Sequence, residues 1–127
     1  MMQKDALFTN KFKISGFLKS VQIACKGIIY LFIFHRNMRL IFILGLLAFL
    51  MGLFFDLKGI ELVTLCITIT LVFMAEIFNT AIELMLNSLT EEYHVKIRLV
   101  KDIAAGIVVI TCLNALAVGY ILFLRKL

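Results

Sequence analysis

Glu76, Asn79 and Glu83 are the residues of this chain best suited to do chemistry, and they stand in an improbable place. They follow residues 62–75, fourteen positions without a single charge. On a helix the offsets of three and seven positions put both carboxylates and the amide on one narrow face. Seven residues separate the two acids by about 10 Å along the axis. An ionised acid in hydrocarbon is costly, so such groups must face a partner, a metal ion or water. The shallower acid can hold a cation that carries a polyphosphate, since Mg²⁺ is usually bound by one or two carboxylates plus substrate phosphates. The deeper acid can accept a proton from the hydroxyl of a lipid headgroup. Lys101 is placed to meet phosphate, with Asp102 beside it to orient it. Together they suffice for phosphoryl transfer, which needs positioning, charge neutralisation and a base.

These residues must be carried by membrane helices. The 127 residues are 63% hydrophobic, with a mean hydropathy of +1.07, more apolar surface than a small water-soluble domain can hide. There is no proline to break a helix. The expectation is an all-α membrane protein, one domain over residues 1–127. Membrane-spanning helices are expected over about 38–55, 62–86 and 103–124. An amphipathic helix over about 8–34 is expected to lie in the interface, because Phe17, Val21, Ala24 and Ile28 share one side while Lys19, Gln22 and Lys26 share another. Gly45 and Gly52 lie one heptad apart in the first span, and Ala104, Ala105 and Gly106 open the third; small residues of this kind let helices approach in lipid.

The charge pattern gives a sidedness. Lys4, Lys11, Lys13, Lys19, Lys26, Arg36 and Arg39 face only Asp5 in the first 39 residues. That bias predicts a cytoplasmic N-terminus and, with three crossings, a C-terminus on the other side. The same basic collar suits anionic lipid rather than nucleic acid, which would want a polar scaffold with exposed aromatics. Cys25, Cys66 and Cys112 are odd in number and far apart, so they imply neither a disulfide framework nor a metal site. The N-terminus lacks an apolar core with a cleavage site and is expected to be retained. No glycine-rich phosphate loop is present, which excludes a P-loop or soluble-kinase fold.

The wording of the sequence is also familiar. EIFNTAIE (residues 76–83), EYH (92–94) and KDIAAG (101–106), with KG (26–27) and RNMR (36–39), together resemble the prokaryotic diacylglycerol kinase and undecaprenol kinase family. The likeness runs from about residue 12 onward and is nearer the undecaprenol-kinase-like branch. It implies a homotrimeric integral enzyme of the inner or plasma membrane, moving the γ-phosphate of MgATP to a lipid alcohol at the cytoplasmic interface, between subunits. By position it implies Glu76 as general base and Glu83 as metal ligand. It further implies that Asn79, Glu92, Tyr93, His94, Lys101 and Asp102 contact the nucleotide. The chain departs from the pattern at four places: His35 replaces a metal-binding glutamate, Gly16 an ATP-contacting arginine, Asn87 an acid, and RLIF (residues 39–42) the usual RIHL. Imidazole at residue 35 adds Mn²⁺ or Zn²⁺ to Mg²⁺ as candidate metals. The alternative reading that these departures raise is a catalytically weakened member serving as a membrane-binding or regulatory module.

Overall fold

The computed structural model describes the backbone of residues 2–89 and 95–126 and the side chains of residues 14–88 and 95–126. Every described element is helical: α1 (Met2–Phe34), α2 (Arg36–Phe54), α3 (Ile60–Leu89) and α4 (Val95–Gly119), which continues into a π-helical turn, Tyr120–Leu124. Helices are the physical answer to this composition, because a helix satisfies its own backbone where no water can. The chain divides into two compact units, Met1–Arg36 and Asn37–Leu127.

In the first unit α1 is a single long helix whose last turn closes on His35, with the His35 amide donating to the Leu31 carbonyl at 2.9 Å. The stretch Ile14–Phe34 is itself long and apolar enough to cross a membrane, as are Arg36–Phe54, Ile60–Ser88 and Val95–Leu124. Four helices therefore meet the criterion where the sequence suggested three plus a surface helix. The reason lies off the Phe17–Ile28 stripe. Leu18, Ile23, Ile29 and Ile33 carry apolar surface around the rest of α1, and all four are exposed.

In the second unit α2 and α3 form an antiparallel pair joined by a tight turn. α2 ends in a Schellman motif: the Leu57 amide donates to the Gly52 carbonyl at 3.0 Å and the Asp56 amide to the Leu53 carbonyl at 3.1 Å. Asp56 takes the left-handed conformation this demands, φ 61°. Leu57 then folds back and is buried. Gly52 makes room for it, since a Cβ there would lie 2.6 Å from Leu65 Cδ2 and 3.3 Å from Leu57 Cδ1. Seven residues earlier, a Cβ on Gly45 would meet Ile69 Cγ2 at 3.0 Å. The two glycines thus receive the side chains of α3, while Gly106 on α4 faces open space.

The same end of the unit is tied to the C-terminal turn. Lys126 pairs with Glu61 at 3.1 Å, and the Phe55 and Phe123 rings meet at 5.5 Å, tilted by 56°. Along the charge-free part of α3, Thr64, Thr68 and Thr70 each return their hydroxyl to the carbonyl four residues back, at 2.7–2.8 Å. No polar demand is left over there. Beside Thr68, between α2, α3 and α4, runs an apolar cleft of about 420 Å³ bordered by Gly45, Leu65 and Phe123.

Asp56→Gly relieves the one non-glycine residue with positive φ among the described residues. The cost of a side chain in the left-handed region exceeds the extra chain entropy of glycine. The Lys58 pair it forfeits, 3.3 Å long and solvent-exposed on both sides, contributes little. Thermal unfolding in detergent should show a gain of about 0.5 kcal/mol.

Candidate functional site at the polar end of α3

The threonine ladder ends where the carboxylates begin. Leu65, Thr68, Ala75, Glu76, Thr80 and Leu86 are the buried residues of α3, and at 3.6 residues per turn they fall on one side of it. Asn79, Glu83 and Asn87 fall on that same side. The polar residues therefore continue the packed face of the helix rather than interrupting its outward face, as intramembrane ionisable groups generally do.

Exposure rises along the stripe. Glu76 is buried, at 6% of its surface, as is Thr80 at 4%. Asn79 is half-buried and Glu83 exposed. The two carboxylates of one face thus meet different surroundings, one dry and one wet. Such a contrast lets chemically identical groups take different tasks. Between them sits the sharpest irregularity: Asn79 Oδ1 is buried with no hydrogen-bond partner among the described residues. A buried amide oxygen without a donor costs about 1–3 kcal/mol, and it is an acceptor held ready for a proton donor or a cation.

One turn beyond Glu83, the stripe reaches α4. Lys101 Nζ donates to Asn87 Oδ1 at 3.0 Å, so the lysine side chain is drawn onto α3. Lys101 is half-buried and Asp102, its neighbour, is exposed. Both lie in the second turn of α4, which starts at Val95, and not at the mouth of a helix opening near residue 103. Sequence reasoning treats Asn87 only as a departure. Its place in the series 79, 83, 87, each four residues on, is the signal that assigns it to the stripe.

His35, half-buried, belongs to the first unit, its ring 6.1 Å from that of Tyr30. Gly16 faces open space. Glu92, Tyr93 and His94 lie outside the described residues. Among the described residues, no three of His, Cys, Asp or Glu stand close enough to hold a metal ion.

With this geometry in view, comparison with known proteins is decisive. The family model described as prokaryotic diacylglycerol kinase matches residues 22–123. The chain belongs to that family. It is 30% identical over 126 residues to a diacylglycerol kinase of Synechocystis sp., an alignment covering 98% of this chain and 72% of the relative. It is 29% identical over 115 residues to an undecaprenol kinase of Bacillus subtilis, covering 91% of this chain and 94% of the relative. The match spans α2, α3 and α4 and the whole polar stripe.

The unpaired Asn79 oxygen supplies a direct test of whether the stripe trades stability for readiness. Asn79→Leu removes the orphaned acceptor at similar volume, so the folded protein should gain about 1 kcal/mol. Thermal unfolding in detergent reads that gain, and a loss of about 1 kcal/mol or more would show instead that the amide is satisfied in the native state.

Proposed function

We propose that the protein is a lipid kinase, transferring the γ-phosphate of ATP to the hydroxyl of a membrane alcohol, undecaprenol or diacylglycerol, at the cytoplasmic interface. The observation that carries this reading is the split stripe on α3, with Glu76 buried and Glu83 exposed, in a chain of this family. Glu76 is the general base. It takes the proton of the lipid hydroxyl as that oxygen bonds to the γ-phosphorus and the bond to the ADP oxygen breaks. The buried setting keeps water, the competing acceptor, away from that oxygen.

Glu83 with His35 would hold the divalent cation, whose part is to neutralise polyphosphate charge. The donors fit such an ion. Glu83 is an accessible carboxylate, the unpaired Asn79 oxygen lies one turn away, and phosphate oxygens complete a shell for Mg²⁺. The imidazole nitrogen admits Mn²⁺ or Zn²⁺ as well. Asn79, Lys101 and Asp102, with Glu92, Tyr93 and His94, hold the nucleotide. We further infer a homotrimer, because three thin helices of one chain would scarcely enclose such a site alone.

Purified protein in lipid, given MgATP and each alcohol in turn, should yield the phosphorylated lipid. Glu76→Gln should lower kcat by at least about 100-fold, with helicity by circular dichroism unchanged. No turnover of either alcohol with Mg²⁺, Mn²⁺ or Zn²⁺ would defeat the reading and favour a binding or regulatory role.

The proposal includes a sidedness: α1 lies in the interface, the N-terminus is cytoplasmic, and three crossings carry Arg125 and Lys126 to the other face. Reporter fusions at the two ends should therefore light up on opposite sides of the plasma membrane. Signals from the same side would mean that Ile14–Phe34 crosses too.

A further inference from the structure

The end of the second unit away from the carboxylate stripe holds a cavity that the proposed reaction does not use. It has a volume of about 440 Å³ and lies between the start of α3 and the π-helical turn that closes α4. One wall is apolar, made by Ile60, Ile121 and Leu122, while Arg125, Lys126 and Glu61 supply charge. Ile60 and Ile121 are exposed. A space that is greasy on one side and charged on the other fits a ligand with the same two halves.

The charge on that wall is positive. Lys126 is held by two acceptors, Glu61 Oε2 at 3.1 Å and the Asp56 carbonyl at 3.5 Å. The Lys126–Glu61 pair cancels, as does the exposed pair of Lys58 and Asp56. Arg125 remains as one net positive charge, and among the described residues it has no ion-pair partner. A guanidinium presents a planar fork of N–H donors that matches two oxygens of one phosphate. A phosphodiester, with a single negative charge, would bring the cavity to neutrality.

The level of the cavity selects the source of that phosphate. Ile60 opens one membrane-length helix and Leu124 ends another, so the cavity lies where lipid headgroups meet the apolar core. Glu83 stands 22 residues beyond Glu61 on α3, about 33 Å along the axis, close to the full hydrocarbon thickness of a bilayer. A lipid bound here therefore belongs to the leaflet opposite Glu83 and is not the acceptor of the proposed reaction. Basic pockets between membrane helices are a recurring form of headgroup site. Under the sidedness proposed above, Arg125 and Lys126 run against the usual cytoplasmic preference of basic residues, and a ligand for them would account for that.

We propose that this cavity binds an anionic phospholipid. Arg125 takes the phosphate oxygens, the Lys126–Glu61 pair forms the polar floor, and Ile60 and Ile121 receive the first carbons of the acyl chains. Phosphatidylglycerol titrated into the purified protein in neutral detergent should raise the thermal unfolding midpoint, and the concentration dependence gives the affinity. Arg125→Gln, which keeps the Lys126–Glu61 pair, should weaken that affinity at least about 10-fold and leave the midpoint without lipid unchanged.

The basic residues of α1 also attract anionic lipid, so the comparison is repeated in a Lys19→Gln, Lys26→Gln background. An equal loss on Arg125→Gln there would place the effect at the cavity, and its disappearance would overturn the site. Phosphatidylcholine and inorganic phosphate form the other arms and should bind at least about 10-fold more weakly. Equal affinity for phosphatidylcholine would overturn the role of net charge. Equal affinity for inorganic phosphate would make the cavity a site for soluble anions and overturn the lipid. Wild-type affinity for phosphatidylglycerol in Arg125→Gln would overturn the proposal outright.

Discussion

Hydrocarbon gives a polar group no solvent to bond to, and almost every feature of this chain follows from that constraint. It makes helices the fold, because only a helix closes the backbone's account within one segment. The hydroxyls of Thr64, Thr68 and Thr70 turn back on their own helix for the same reason. In α3 and α4 most of the acids, amides and lysines stand toward the end of α3 and the start of α4, with Glu61 and Asn114 outside those stretches. Against that background an unsatisfied atom is conspicuous, and Asn79 Oδ1 is the atom that stands out. The same helix that returns three threonine hydroxyls to its own backbone leaves this amide oxygen without a partner among the described residues.

The second unit divides its labour by position along the chain. At one end a Schellman turn, two glycines, an aromatic pair and the Lys126–Glu61 ion pair lock α2, α3 and the C-terminal turn together. None of those groups lies on the polar stripe. At the other end the stripe carries a buried acid, a bare amide, an exposed acid and a tethered lysine. Rigidity and chemistry are thus separated by the charge-free middle of α3.

Much of this is legible in the sequence because lipid simplifies the reading. Long apolar runs without proline can be little else than helices, and the spacing of Glu76, Asn79 and Glu83 is enough by itself to define a face. The helix limits are harder to read for a physical reason: hydropathy marks what lipid covers, not what is helical. The polar residues 87–102 look like one connecting segment, yet α3 runs on to Leu89 and α4 begins at Val95. Likewise the Lys19–Lys26 side of α1 suggests a surface helix, although apolar residues on its other sides make Ile14–Phe34 apolar enough to span. The Asn87–Lys101 bond is illegible altogether, because a pairing between helices depends on how their ends meet and leaves no local pattern.

Burial and charge along α3 together give a physical reason for an amide rather than an acid at residue 79. If the acid stood where Asn79 is, two carboxylates one turn apart would share the half-buried middle of the stripe. Their repulsion would keep one of them protonated, much as paired carboxylates elsewhere share a proton. An amide at that position separates the acids by two full turns and adds no charge. One turn beyond Glu83, Asn87 accepts a hydrogen bond from Lys101. Two neutral amides thus alternate with two acids on one face. The two acids are thereby kept about two turns apart on that face. The pattern that first looked like polarity intruding on a lipid-soluble helix is better understood as spacing between charges.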